Sequence, residues 1–165
     1  MNKIAIISDS HGALDRLDEV LTNLQNGGVT EIIHAGDFAL GAIAELLQKF
    51  PGLNFRIAIG NCDVNSELLE KISALENVEL AEILGFELSG RQFAVAHRIE
   101  DLRNSAAEIL VSGHTHIPLA KKAEGKLFLN PGSLQDDGGY FLLETEALGI
   151  ERKLFTEKIS TDNKK

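Results

Sequence analysis

Three short apolar runs in the first third of the chain alternate with segments of helical periodicity, and this alternation limits the possible folds. The runs are IAIIS (4–8), EIIHA (31–35) and FRIAI (55–59). Continuous β-prone runs of this length are typical of strands that are buried on both faces of a sheet. The segments between them, 14–26 and 42–50, carry apolar residues at helical spacing and are followed by glycine or proline. The pattern predicts a β-α-β-α-β unit with parallel strands and right-handed crossovers.

The second half of the chain predicts strands joined by tight turns. Residues 83–97 predict two strands around Ser89-Gly90, and EILVSG (108–113) predicts another buried strand. Residues 117–131 and 139–155 each predict a further hairpin. We expect these strands to form a second, largely antiparallel sheet that packs on the first.

Length and charge limit the domain organisation and the partners. A chain of 165 residues predicts one domain over 1–156, followed by a polar tail over 157–165. The net charge of −9 disfavours a nucleic-acid scaffold role and binding to an anionic membrane. No apolar run approaches the roughly 20 residues of a membrane span, and the opening segment lacks the pattern of a signal peptide. Because the single cysteine, Cys62, also fits a reducing compartment, we expect a cytoplasmic protein.

Polar side chains follow the predicted strands at the points where the strands end. They are Asp9, His11, Asp37, Asn61, His97, His114 and His116. Ligands of open parallel sheets bind beyond the carboxyl ends of the strands, so we expect these side chains to converge. Each one also has an ordinary explanation, since aspartate and asparagine are common in turns and a single histidine is often a core or surface residue. The coincidence of carboxylate, imidazole and amide donors at the ends of all these strands favours one common site.

Six short motifs run along the chain in the order DSH (9–11), GD (36–37), GNCD (60–63), the histidine that ends FAVAH (93–97), SGHTH (112–116) and NPGS (130–133). In this order they resemble the motifs of the calcineurin-like metallophosphoesterases, and in particular of the small single-domain phosphodiesterases of bacteria and archaea. The resemblance implies an α/β fold in which two mixed β-sheets, flanked by helices, form a four-layer α/β/β/α sandwich. It also implies a dinuclear metal centre between the sheets.

The resemblance further implies a set of metal ligands. One metal would take Asp9, His11 and His116, the second would take Asn61, His97 and His114, and Asp37 would bridge the two. A hydroxide that bridges the metals would attack the phosphorus atom and hydrolyse a P–O ester bond, with Asp37, Asn61 and His97 positioning that hydroxide and the phosphate. His34, which precedes the Asp37 turn on a buried strand, is interpreted as a supporting or core residue and not as a ligand.

The donor chemistry is consistent with a pair of divalent transition-metal ions. Imidazole, carboxylate and amide donors without thiolate suit Mn²⁺, Fe²⁺, Zn²⁺, Co²⁺ or Ni²⁺, and the resemblance favours Mn²⁺. A shared carboxylate holds two cations close enough to clamp the attacking and leaving oxygens of an in-line displacement. Two cations can deprotonate the attacking water at neutral pH, so no protein base is required.

The chain departs from the pattern of the family at three places. As in the small phosphodiesterases that the chain resembles, a cysteine, Cys62, stands where the wider superfamily typically has a histidine that protonates the leaving group, so no protein general acid is assigned. Arg98 follows His97, where relatives usually have glycine, and it either grips a phosphate or pairs with a neighbouring carboxylate. Asp136-Asp137 follows the NPGS motif, where relatives often carry Pro-Arg. These changes leave the choice of substrate open.

The sequence therefore predicts a metal-dependent phosphoesterase, and more specifically a phosphodiesterase that acts on a small phosphate ester. The alternative from a different class is a non-catalytic protein-binding scaffold, because a retromer subunit has the same fold. A nuclease is disfavoured by the net negative charge. The sequence leaves homo-oligomerisation open.

Overall fold

A computed structural model describes residues 3–38, 41–157 and 159 of the chain. The helices and strands in these residues are, in chain order, β1 (Lys3–Ile7), α1 (Leu14–Asn26), β2 (Glu31–His34), α2 (Ile43–Gln48), β3 (Asn54–Ala58), α3 (Ser66–Ser73), β4 (Val78–Ala81), β5 (Ile83–Leu88), β6 (Arg91–Ala96), a 3₁₀ helix (Ile99–Leu102), β7 (Ile109–Val111), β8 (Leu119–Ala123), β9 (Lys126–Asn130), β10 (Gly139–Glu144) and β11 (Gly149–Leu154). None of the helices in these ranges is long and apolar enough to cross a bilayer.

The first sheet has the strand order β11-β10-β1-β2-β3-β4. Strands β1 to β4 are parallel, and α1, α2 and α3 connect them in turn, so the predicted β-α-β-α-β unit is confirmed. The sheet continues with α3 and β4, which were not predicted from the sequence. Helix α3 begins after Asn65, whose side chain caps the helix by accepting a hydrogen bond from the amide of Leu68.

Strand β1 shows why the first apolar run is continuous. Ala5 and Ile7 belong to the hydrophobic cluster that contains the helices, whereas Ile4 and Ile6 belong to the cluster shared with the second sheet. Successive side chains of a strand point to opposite faces, so a strand that is covered on both sides needs apolar residues at every position. The first sheet is therefore the central layer of the molecule.

The second sheet has the strand order β5-β6-β7-β9-β8. The hairpins predicted over 83–97 and 117–131 are confirmed as β5-β6 and β8-β9. However, β6, β7 and β9 run parallel to one another, so the expectation of a largely antiparallel sheet is wrong. Strand β8 lies at the edge of the sheet and pairs antiparallel with β9. The neighbour of β7 is therefore β9, which runs parallel to it.

The hairpin predicted over 139–155 forms, but it belongs to the first sheet. Strand β10 pairs antiparallel with β1, and β11 follows at the edge. The reason is that β10 is apolar on both faces: Tyr140 and Leu142 pack in the helical cluster, while Phe141 and Leu143 pack against the second sheet. Such a strand is stable only in the central layer.

The outer cover of the second sheet is small. In the described part of the chain, the 3₁₀ helix supplies Leu102, which packs with Ala94, Ala96 and Leu110 of the sheet. The prediction of an α/β fold with two mixed sheets and flanking helices is confirmed, although the fourth layer is reduced to this short helix. Most of the predicted polar tail lies outside the described residues, and its Ile159 packs against the helical cluster.

Candidate metal centre

The candidate residues lie in the loops that follow the carboxyl ends of β1, β2, β3, β6 and β7. Five of them have a positive backbone φ, namely Asp9 (50°), His11 (40°), Asp37 (56°), His114 (68°) and His116 (59°). Positive φ is uncommon outside glycine, and such residues cluster at functional sites. The loops thus hold an unusual backbone conformation at the very positions that carry the candidate side chains.

Asp9, His11 and His116 form a first group of possible ligands. The Nε2 atom of His116 lies 3.1 Å from Oδ1 of Asp9, and the Nε2 atom of His11 lies 3.6 Å from the same oxygen. The two Nε2 atoms are 3.3 Å apart. The three donor atoms therefore face one another closely enough to share a single cation.

Asp37 connects this group to a second one. Its Oδ2 atom lies 3.2 Å from Nε2 of His97 and 3.7 Å from Nε2 of His11. Burial works against the charged form of Asp37, but a hydrogen bond from the amide of Cys62 and the nearby His97 outweigh it, so the pKa of Asp37 is lowered. The carboxylate is thus ionised and lies between the two groups.

His114 and Asn61 complete the set near His97. The rings of His97 and His114 meet edge to face, with their centroids 5.1 Å apart. Asn61 lines the same cavity as His97, and its Nδ2 atom lies 3.4 Å from Sγ of Cys62. The structure thereby brings all seven candidate residues, from five strand ends, to one end of the molecule.

The protonation pattern of His97 indicates that this arrangement suits a cation. The Nδ1 atom of His97 lies 2.8 Å from the carbonyl oxygen of Ala35, which can only accept, so Nδ1 carries the proton. In the neutral ring, Nε2 then presents a lone pair to Oδ2 of Asp37, another acceptor. Nε2 of His97 and Oδ1 of Asp9 are both buried without a hydrogen-bond partner. Buried acceptors that face one another are costly unless a positive charge lies between them, so the residues fit a bound metal.

Residues 2–147 match the calcineurin-like phosphoesterase superfamily domain. This match spans most of the chain. The chain belongs to the calcineurin-like phosphoesterase superfamily. Membership implies divalent metal ions, in agreement with the donor groups just described. The resemblance deduced from the six motifs is confirmed.

Relatives with recognisable sequence similarity include a probable metallophosphoesterase and a phosphodiesterase. The chain is 31% identical over 152 residues to a probable metallophosphoesterase of Mycoplasma pneumoniae, covering 82% of this chain and 80% of that protein. It is 27% identical over 172 residues to the phosphodiesterase YfcE of Escherichia coli, covering 91% of each. The similarity extends over nearly the whole of these relatives, so it concerns the entire domain.

Solved structures share the fold. An archaeal phosphodiesterase superposes with a TM-score of 0.78 at 22% identity, covering 92% of this chain and 98% of that one. Vacuolar protein sorting 29 of Cryptosporidium parvum superposes with a TM-score of 0.63 at 18% identity, covering 92% and 96%. At these identities the likeness concerns the fold alone.

In this member of the superfamily, Asp9 is oriented by hydrogen bonds to only one of its two oxygens. Its Oδ2 atom accepts from the hydroxyl of Ser8 at 2.5 Å and from the amide of His114 at 3.1 Å. Its Oδ1 atom is left to face His11 and His116. Partners of this kind fix the direction of a metal-binding carboxylate.

Asp63 has a supporting role that was not predicted from the sequence. Its buried Oδ2 atom accepts hydrogen bonds from the amides of Asp37, at 2.8 Å, and Gly60, at 2.7 Å. One carboxylate therefore fastens the loop after β2 to the loop after β3. The only sequence signal was its place in the GNCD motif, which does not reveal these partners.

The NPGS motif also supports the site without lining it. Asn130 donates to the carbonyl of Gly113 at 2.7 Å, and thereby holds the loop that carries His114 and His116. The hydroxyl of Ser133 donates to the backbone carbonyl of Asp9 at 3.0 Å. Both side chains are buried, so they brace two ligand-bearing loops from behind.

His34 lies beneath the site. Its Nδ1 atom accepts from the amide of Gly36, and its Nε2 atom therefore donates to the hydroxyl of Ser10. Burial, with a contribution from His97, lowers the pKa of His34 to about 3, so the ring is neutral. With both nitrogens occupied, His34 supports the loop after β1, in line with its interpretation as a supporting residue.

Asp136 contacts the site from outside. Its Oδ2 atom lies 2.7 Å from Nδ1 of His116, on the opposite side of the ring from Asp9. Burial opposes the imidazolium form, but the hydrogen bond to Asp136 and the charge of Asp9 outweigh it and raise the pKa of His116. The contact with Asp136 fixes the proton of a neutral His116 ring on Nδ1, so that Nε2 has a lone pair available for a cation.

Replacing Asp136 by asparagine should weaken one metal site and spare the other. Loss of the charged partner of His116 is expected to lower the affinity for one of two Mn²⁺ ions roughly 10-fold to 100-fold. Calorimetric titration of the metal-free protein with Mn²⁺ measures both affinities. Asp137→Asn is the matched control, because Asp137 bonds to Arg152 and Gly139 and not to His116. Equal affinities in Asp136→Asn and Asp137→Asn would contradict this role.

Proposed function

We propose that this chain is a dinuclear-metal-dependent phosphodiesterase that hydrolyses a P–O ester bond. The observation that carries the proposal is the position of the ionised Asp37 carboxylate between His11 and His97. Its Oδ2 atom faces the Nε2 atoms of both rings, and Nε2 of His97 has no hydrogen-bond partner. Membership in the phosphoesterase superfamily supports it, as does the similarity to a bacterial phosphodiesterase.

The proposed ligands fall into two sets joined by one carboxylate. Asp9, His11 and His116 would hold one cation, Asn61, His97 and His114 the other, and Asp37 both. When bound, the two cations supply Lewis acidity toward the phosphoryl group and an activated water at neutral pH. We favour Mn²⁺, and the donor set also suits Zn²⁺, Fe²⁺, Co²⁺ and Ni²⁺.

In the absence of substrate, the side chains of the site already have the orientation and charge that this chemistry requires. Nδ1 of His97 donates to the carbonyl oxygen of Ala35, so Nε2 is the ring nitrogen that would bind a cation. The negative charge of Asp37 reduces the mutual repulsion of two cations that flank it. Asn61 and His97 line the adjoining cavity, where they would also position the phosphate.

A diester is favoured over a monoester on electrostatic grounds. At neutral pH a phosphodiester carries one negative charge and a monoester carries close to two. The chain has a net charge of −9, and Glu82 and Asp101 line the cavity beside Asn61. Long-range repulsion and these carboxylates therefore disfavour the more highly charged substrate.

The residue at position 62 limits the leaving groups. The residue that follows Asn61 in the chain is Cys62, which is exposed, and not a histidine. An imidazolium that protonates a leaving oxygen typically contributes about 10²-fold to 10⁴-fold. Desolvation and the carboxylate of Asp37 raise the pKa of the Cys62 thiol, which makes it a poor acid in comparison. We expect esters of acidic alcohols to be hydrolysed fastest.

The test is a comparison of esters with the purified protein and Mn²⁺. Bis(4-nitrophenyl) phosphate should be hydrolysed faster than 4-nitrophenyl phosphate, and dialkyl phosphates should be the slowest. A chelator should abolish the activity, and added Mn²⁺ should restore it. If the folded protein binds metal and hydrolyses none of these esters with any of the five metals, the phosphodiesterase proposal fails. The scaffold role suggested by the shared fold would then be preferred.

A further inference from the structure

A cavity of about 310 Å³ opens beside the candidate metal centre, and neither alcohol of the diester has yet been assigned to it. Asn61 and His97 form part of its wall. His97 is only 4% exposed, and its Nε2 atom is one of the buried atoms without a hydrogen-bond partner. The cavity therefore begins at the groups that would hold the second cation and extends outward from them.

Arg98 brings to this cavity a positive charge that has no partner among the described residues. The side chain is exposed, and it forms no ion pair or hydrogen bond with Glu100, Asp101 or any other described residue. Four other arginines do find partners, namely Arg16, Arg56, Arg91 and Arg152. The guanidinium of Arg98 is thus free to bind an anion, and a planar fork of donors matches phosphoryl oxygens well.

The remaining charged groups of the cavity are negative. Glu82 and Asp101 line it, and neither forms an ion pair among the described residues. Once a phosphodiester anion neutralises Arg98, these two carboxylates leave the outer part of the cavity negative. Ile83, which is 53% exposed, adds an apolar surface on the same wall. Carboxylates beside an apolar surface favour an ammonium group that carries methyl or methylene groups.

We infer that this cavity is the subsite for an esterifying alcohol that bears an ammonium group. Arg98 binds the phosphoryl oxygens, and Glu82 and Asp101 face the ammonium. The inference rests on the proposed phosphodiesterase function and adds the chemical class of its substrate.

Two diesters that differ in one atom test the charge preference. One is 4-nitrophenyl phosphorylcholine, and the other is 4-nitrophenyl 3,3-dimethylbutyl phosphate, in which carbon replaces the charged nitrogen. In both, water supplies the new P–O bond and the same nitrophenolate leaves, so a difference in kcat/KM reports binding of the other alcohol. We expect kcat/KM to be about tenfold higher for the choline ester. The preference should shrink with added salt.

Substitutions of the residues that line the cavity test whether the preference for the choline ester arises there. In the double variant Glu82→Gln/Asp101→Asn, the ratio of the two kcat/KM values should fall to about one. Arg98→Ala should raise KM for both esters about tenfold with little effect on kcat, and Arg98→Lys should recover part of the loss. Arg103→Ala is the matched control, because Arg103 is also exposed but lines a different cavity, to which none of the candidate ligands contributes.

The outcomes separate the two proposals. A ratio near one in the wild type, or a preference that persists in the double variant, overturns the ammonium subsite and leaves the phosphodiesterase function standing. If metal-loaded protein hydrolyses bis(4-nitrophenyl) phosphate but neither of these two esters, only the ammonium subsite is overturned. If it hydrolyses none of the three esters, both proposals are overturned.

Discussion

Replacing Asp37 by alanine is expected to remove both metal ions and to lower phosphodiester hydrolysis by roughly 10³-fold or more. Oδ2 of Asp37 lies 3.2 Å from Nε2 of His97 and 3.7 Å from Nε2 of His11, so this carboxylate is placed to be the proposed bridge between the two groups. Without it, two cations would repel one another across a short gap with no negative charge between them. Loss of a ligand belonging to one group alone would instead weaken chiefly one ion.

Elemental analysis of the purified variant measures this result directly. Asp37→Asn is the companion variant, because it keeps the size of the side chain and an acceptor for the amide of Cys62 while removing the charge. Asp15→Ala, in the first turn of α1, controls for the loss of a carboxylate elsewhere. Thermal unfolding without metal identifies any variant that fails to fold. Full loading with two ions in Asp37→Ala would show that Asp37 is not the bridge.

The second large effect is expected from Gly60→Ala, which adds a single methyl group behind the site. A Cβ atom at position 60 would lie 2.1 Å from Oδ1 and 2.3 Å from the backbone nitrogen of Asp37. Neither atom can move freely, since Asp63 accepts from the amide of Asp37 and Oδ1 of Asp37 accepts from the amide of Cys62. The loop has to shift, so we expect a loss of metal affinity of roughly 10-fold to 100-fold and a destabilisation of about 1–3 kcal/mol.

Gly85→Ala is the control for this experiment. Gly85 lies in β5, and a Cβ atom there would meet nothing within 4 Å. That variant should bind Mn²⁺ like the wild type. Unfolding by urea, with and without metal, separates the loss of stability from the loss of affinity. If Gly60→Ala and Gly85→Ala have equal Mn²⁺ affinities, the close packing of the two loops is not needed for the site.

The parallel part of the first sheet could be predicted because burial on both faces demands continuous apolar runs, as in 4–8. The same pattern does not reveal which sheet a strand joins, and for that reason β10 was expected in the wrong layer. Helix α3 and strand β4 were overlooked because they are short and β4 is only half-buried. The cap formed by Asn65 three residues before Leu68 was the available signal.

The candidate ligands could be predicted because parallel strands end at a common edge, so their position in the chain determines their position in space. The supporting contacts could not be predicted in this way. Ser133 bonds to the carbonyl of Asp9, 124 residues away, and Asp63 bonds to the amide of Asp37 on another loop. Such partners depend on the packing of the two sheets, which a linear pattern does not specify.

The most direct test of the account is a titration of the metal-free protein with Mn²⁺ while the hydrolysis of bis(4-nitrophenyl) phosphate is followed. If the two ligand groups joined by Asp37 form one dinuclear centre, the rate should rise until two equivalents per chain are bound and should then stay constant. A rate that is already maximal at one equivalent, or two bound equivalents without hydrolysis, would contradict a dinuclear phosphodiesterase.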